Sequence, residues 1–223
     1  MKYDINGETK YVPLDVFLKY VKKIAIANKN TVESGKKKGK ASQGTWDDYP
    51  PDYKGFQDEN YGTAISCGHI PELGLDFVAI DLDPVKDRKA KGLRYVELKN
   101  LLKVCAPIIK QTYCVITPSG GIHIYILTRT PPKASQPDIN MDYQITDATK
   151  PDSKDKYIIA THHWKLREDG HAERRDYIKC EKSPDTVAVV QNADEVLQNI
   201  LQNLEDNNMI KDPQDDALIR LCR

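Results

Sequence analysis

The sequence predicts a chain of mixed class, with many strands and a few amphipathic helices, on three observations. Leu14, Phe17, Leu18, Val21 and Ala25 fall at helical spacing after Pro13, a residue suited to a first helical turn. The apolar run "LDFVAIDLD" (75–83) reads as a buried strand. "TYCVIT", "PSGG" and "IHIYILT" (112–128) read as strand, glycine turn and strand, a hairpin.

The remaining elements follow in order. Residues 28–60 are polar and carry Pro50-Pro51, which predicts a long loop with one short helix. "YGTAISCG" (61–68) predicts a strand ending at Gly68 and pairing with the strand that follows. Leu98, Leu101, Leu102 and Cys105 mark a second helix, closed by Pro107. Further strands are expected at "INMDYQIT" (139–146), "KYIIAT" (156–161) and "RDYIKC" (175–180). Asn192, with Glu195 three residues later, forms a capping box before Val196, Leu197, Ile200, Leu201 and Leu204, which predicts a C-terminal helix. "DPQDDALIRLCR" starts like another helix, as expected of a region that continues in a larger protein.

With 39% hydrophobic and 30% charged residues in 223, the chain can bury a sizeable core. No run is long and apolar enough for a bilayer span, and the N-terminus lacks a signal-peptide h-region, so a cytoplasmic protein without membrane contact is expected. Cys67, Cys105, Cys114, Cys180 and Cys222 form no C-x-x-C pair; reduced, buried thiols are expected, and no zinc site. Basic and acidic residues both total 33, so net charge makes no case for a nucleic-acid partner. The distribution is uneven, however: residues 1–50 hold ten lysines against six acids, and residues 181–223 hold four basic residues against nine acidic ones. "GKKKGK" (35–40) could meet phosphates, although a solvated loop is the plainer expectation.

Asp81 and Asp83 carry the chemistry. Side chains alternate along a strand, so residues two apart share a face, and two carboxylates placed there repel unless a cation sits between them. Carboxylates at a sheet mouth suit Mg²⁺ or Mn²⁺, the hard cations of phosphoryl and nucleotidyl transfer. In "SGGIHIY", Gly120 and Gly121 let backbone N–H groups approach phosphates, while Ser119 and His123 can donate to their oxygens. In 139–146, Ile139, Met141, Tyr143 and Ile145 alternate with Asn140, Asp142 and Gln144, which aims Asp142 away from the core; Asp147, with the parity of the apolar set, suits a turn. His162 and His163 are adjacent and would face opposite sides of a strand, leaving one for a cleft or a surface.

The succession "GTAISCG…FVAIDLD", "TPSGGIHIYI", an acid-bearing strand and "KYIIATHH" resembles the bifunctional primase–polymerase (prim-pol) branch of the archaeo-eukaryotic primase superfamily, familiar from replication proteins of archaeal plasmids and viruses. The resemblance covers roughly residues 15–180. It implies an α+β fold, with an antiparallel-rich, RRM-like sheet packed on a smaller α/β unit and the active site in the cleft between them. It further implies a prim-pol domain over residues 1–185, followed by a helical segment over 186–223. Asp81, Asp83 and a third acid, Asp142, would be the catalytic ligands of two Mg²⁺ or Mn²⁺ ions, and Ser119, Gly120, Gly121 and His123 would hold the incoming nucleotide. The implied activity is template-dependent DNA primase/polymerase. Its partners would be single-stranded DNA template and primer, dNTP or NTP, and a helicase domain or protein.

Two departures stand out. Relatives often follow the third acid closely with a "GYVV"-like strand, where this chain inserts "DATKPDSKDK", and the cysteine spacing does not support the zinc stem of some plasmid relatives. Two other readings stand beside this one. A catalytically silent nucleic-acid-binding relative would keep the fold without the chemistry. A rolling-circle nicking protein would need a His-hydrophobic-His pair and a nucleophilic tyrosine, and "GIHIY" offers one histidine.

Overall fold

The computed structural model describes residues 10–44, 59–83, 92–132, 139–146 and 156–212. Asp147, most of the polar insert, Pro50-Pro51, Cys222 and the terminal segment after Asp212 lie outside these residues. The fold is α+β, with a mostly antiparallel multi-stranded sheet and, among the described residues, four helices. No helix among them is long and apolar enough to cross a membrane.

Strand β1 (Lys10–Pro13) leads into helix α1 (Leu14–Tyr20), which buries Phe17. The expected helix through Ala25 stops at Tyr20, and strand β2 (Lys23–Ala25) follows. The stop has a cause in "VKKIAIA": Val21, Ile24 and Ile26 are β-branched and buried, and the buried Lys23 turns its ammonium back onto the Leu18 and Val21 carbonyls at the helix end. The expected short helix is α2 (Lys29–Glu33), capped by the Asn28 side chain, which accepts from the Thr31 N–H at 2.9 Å.

Strand β3 (Thr63–Ser66) does not pair with the strand after it, as the sequence had suggested. It lies between β2 and β10 (Tyr157–Ile159) in a three-stranded sheet. The chain turns at Cys67, where the backbone N–H donates to the Lys156 carbonyl, and β4 (Gly68–Ile70) then pairs with β5 (Leu75–Leu82). Local alternation alone carries no information on which strand is the partner.

Strands β5 and β8 (Ile122–Thr130) form the centre of a sheet that has eight strands among the described residues, antiparallel from Asp76↔Thr128 to Leu82↔Ile122. The other edge of β5 takes β4 and then β9 (Met141–Gln144). The other edge of β8 takes β7 (Cys114–Ile116) near its start and β14 (Thr186–Asn192) near its end; β14 is parallel to β8 and antiparallel to β1. The region expected to start a separate helical segment at 186 therefore begins as an inner strand of this sheet.

Strand β6 (Tyr95–Val96) precedes helix α3 (Leu98–Ile109), which runs through Pro107 instead of closing before it. The ring removes one intrahelical bond, but Leu101, Cys105 and Ile108 on both sides are buried in the core, and this packing carries the last turn. "RDYIKC" is divided between β12 (Ala172–Asp176), paired with β11 (His162–Leu166) as a ribbon, and β13 (Ile178–Lys179), paired with β7. The C-terminal helix is α4 (Ala193–Asp206), its cap Asn192 accepting from the Asp194 N–H, and β15 (Ile210–Lys211) returns to β6.

The two faces of the sheet follow strand parity. Val78, Ile80 and Leu82 of β5, with Ile122, Ile124 and Ile126 of β8, pack under α3 and α4. Phe77 and Ala79, with Tyr125 and Leu127, pack against Phe17 and Val21 and against the three-stranded sheet through Ile65 and Ile158. Cys67, Cys105, Cys114 and Cys180 are free and buried, as expected.

Candidate functional site

On the second face the apolar pattern of β5, Phe77 and Ala79, gives way at the strand end to Asp81 and then Asp83. Register decides what Asp81 meets. It lies opposite His123 on β8 and opposite Asp142 on β9, and residues directly opposite across antiparallel strands share a face. The alternation in 139–146 is present in β9: Met141 and Tyr143 are in the core, with the Tyr143 hydroxyl donating to the Ala193 carbonyl, while Asp142 stands on the face of Asp81.

Electrostatics reflect this crowding. Burial first, and then the charges of Asp83 and Asp142, push the Asp81 carboxyl up to about 7. Burial and Asp83 push Asp142 up to about 6, against the Gln144 amide that donates to its carboxylate at 3.2 Å. Burial, then the nearby Lys40 charge, pushes His123 down to about 4. The His123 Nε2 stands 3.5 Å from the Asp81 carboxylate, and because the imidazole is neutral near pH 7 this contact is not a salt bridge there. Its Nδ1 is buried without a hydrogen-bond partner.

Among the described residues, no three acidic, histidine or cysteine side chains are grouped tightly enough to form a ready-made metal cage. The donor set nevertheless fits a hard cation. Asp81 and Asp142 are half-buried carboxylates whose ionisation is opposed first by burial and then by neighbouring carboxylates, and a divalent ion would relieve that opposition.

Asp83 is held by a residue that sequence reasoning left without a role. The buried Asn140 donates its amide to the Asp83 carbonyl at 2.7 Å and to the Val96 carbonyl at 3.1 Å, and accepts from the Val96 N–H at 2.9 Å. Asn140 thus ties the end of β5 to β6.

The glycine turn is a tight hairpin. The Gly120 N–H donates to the Thr117 carbonyl and the Gly121 N–H to the Thr117 hydroxyl, with Gly120 in the left-handed region at φ +87°. A Cβ on Gly121 would lie 2.4 Å from the Leu82 carbonyl oxygen. Both glycine N–H groups are therefore spent inside the turn, and the exposed Ser119 hydroxyl shares a 3.0 Å hydrogen bond with Thr117 Oγ1.

Ser119 lines a cleft of about 700 Å³ together with Lys37, Lys38, Lys40, His163, Trp164, Lys165, Arg175 and Tyr177. The lysine run is thus a wall of this cleft. The glycine inside the run explains the close fit: a Cβ on Gly39 would lie 1.5 Å from the Trp164 carbonyl oxygen. From the ribbon, His163 reaches the cleft while His162 is buried against the Trp164 ring. Tyr177 connects cleft and carboxylates, its ring 5.5 Å from His123 and 5.8 Å from His163, with burial and Asp81 pushing its phenol up.

No family model matches the chain, and no curated protein matches it.

Proposed function

We propose that the chain belongs to the enzymes that transfer phosphoryl-linked groups with the help of divalent cations. Within that class, the reading best supported is a template-dependent DNA primase/polymerase of the prim-pol kind, acting in the cytoplasm on single-stranded DNA, primer and dNTP or NTP. The observation that carries it is the cross-strand row Asp142–Asp81–His123 beside a cleft that, among the described residues, is lined by five basic residues and no acidic one. On this reading the antiparallel sheet is the RRM-like half of the fold and the cleft is the active site.

Asp81, Asp83 and Asp142 would hold Mg²⁺ or Mn²⁺, whose chemistry in such sites is activation of the attacking hydroxyl and neutralisation of the leaving pyrophosphate. Asn140 keeps Asp83 at the strand end. The neutral His123 flanks Asp81, and Ser119 offers its hydroxyl to the triphosphate. A helicase domain or protein would supply unwound template.

A nicking-enzyme reading gains one observation, the tyrosine between two histidines: Tyr177 with His123 and His163. It is the weaker reading, because burial and Asp81 oppose the ionisation a tyrosine nucleophile needs. Incubation with single-stranded DNA and labelled deoxy- and ribonucleotides, with Mg²⁺ or Mn²⁺, tests both. Template-directed incorporation supports the polymerase; a covalent DNA–Tyr177 adduct without incorporation replaces it; DNA binding with neither activity marks a silent relative.

A further inference from the structure

We infer that the phosphate grip of this protein lies on the β11–β12 ribbon, where His163 and Arg175 bind the polyphosphate tail of a nucleotide with Lys37, Lys38 and Lys40 facing them. The inference deepens the polymerase reading and rests on it for the identity of the ligand, but its grounds are separate. His163 and Arg175 lie opposite each other in the ribbon register, so their side chains share a face. His163 is 9% exposed, and its Nδ1 is buried with no hydrogen-bond partner. The Arg175 Nε is likewise buried and unpartnered, while its Nη2 is anchored on Glu173 at 2.8 Å. Burial holds the His163 imidazole neutral, so with the proton on Nδ1 it and the Arg175 Nε–H are two unpaired donors on one face of the ribbon, and an anion that accepts from both removes the cost of leaving them unpaired.

The surroundings select the anion. Among the described residues, those lining the cleft include Lys37, Lys38, Lys40, Lys165 and Arg175, of which only Arg175 is paired with a carboxylate, that of Glu173, in an ion pair at the cleft, so a multiply charged ligand is favoured. The cleft volume of about 700 Å³ suits one nucleotide. The Glu33 carboxylate behind the wall is engaged by the Ala172 N–H at 2.9 Å, which ties α2 to the ribbon and fixes the distance between the two walls. His123, by contrast, has its Nε2 toward Asp81 and Tyr177 packed on its ring, which suits it to the carboxylates more than to the phosphates.

The test is binding without metal. In EDTA, titration calorimetry with inorganic tripolyphosphate and with dATP should show binding by the wild type. His163→Gln and Arg175→Gln should each weaken it about tenfold or more, the scale of one lost charge-assisted hydrogen bond. Lys38→Gln, on the exposed wall, gives a smaller loss in the same direction and serves where a ribbon variant melts early. No wild-type binding of either probe, or unchanged affinity in all three variants, overturns the inference. So does a single-stranded oligonucleotide lacking a triphosphate whose binding drops as much as that of dATP, since the ribbon would then hold the nucleic-acid backbone. Failure of nucleotide incorporation with these affinities intact would remove the polymerase reading and leave the polyphosphate site standing.

Discussion

Asp81 and Asp142 face each other across the β5–β9 pair, and His123 faces Asp81 from the opposite side. Like charges directly opposite in a sheet destabilise it, so this row is a place where the fold gives up stability.

That cost depends on pH. The folded-state pKa of Asp81, about 7, lies above the ordinary 3.8, so the folded chain holds a proton that the unfolded chain releases between those values. The contribution of Asp81 therefore turns unfavourable as pH rises from 3.8 to about 7 and stays so above. His123 acts in the opposite sense: pushed down from 6.5 to about 4, it costs stability as pH falls through that window. Asp81→Asn isolates the carboxyl. It should raise the melting temperature by about 3 °C or more at pH 8, with the gain vanishing below pH 4. Mg²⁺ should stabilise the wild type and not the variant. Equal melting of the two proteins at pH 8 would contradict the assignment.

Asp81→Ala and Asp83→Ala should each abolish nucleotide incorporation while the far-ultraviolet circular dichroism is retained. Full activity in Asp83→Ala would remove that residue from the site. Asp142→Asn should lose extension and Asp147→Asn should keep it; the reverse pattern would transfer the third ligand to Asp147.

His123→Ala should lower incorporation while template binding barely changes. Ser119→Ala should raise the nucleotide KM. Parallel loss of DNA and nucleotide binding in either variant would indicate damage to the hairpin instead.

Asn140→Ala removes three hydrogen bonds from a buried side chain and leaves the Val96 N–H without its acceptor. A loss of about 2 to 4 kcal/mol in urea unfolding is expected, together with reduced activity, because the Asp83 carbonyl loses its side-chain donor and only the Asp83 N–H bond to the backbone carbonyl of residue 140 remains. Unchanged stability would mean that the end of β5 is held by other contacts.

Gly39→Ala should displace the lysine wall, since its Cβ would collide with the Trp164 carbonyl oxygen. Weaker tripolyphosphate binding with little change in overall stability is the expected result, and wild-type affinity would show that the wall can shift without consequence.

Local pattern was enough to find much of this protein. Alternation of apolar residues places Asp81 beside Asp83 and sends Met141 and Tyr143 inward with Asp142 outward, because the two-residue period of a strand is a local property. The "PSGG" turn and the Asn192 cap are equally local. Partner choice is not. That β3 joins β2 and β10 instead of β5, and that 186–192 enters the sheet beside β8, depend on contacts between residues far apart in sequence. The same holds for the site. The row Asp142–Asp81–His123 needs β8 and β9 to flank β5 in one register, and the basic cleft needs the 35–40 run to dock on the β11–β12 ribbon. Sequence determined which residues could carry charge and which face of a strand they occupy; tertiary packing alone decided which charges meet, because strand register and loop docking are set by the burial of distant apolar surfaces.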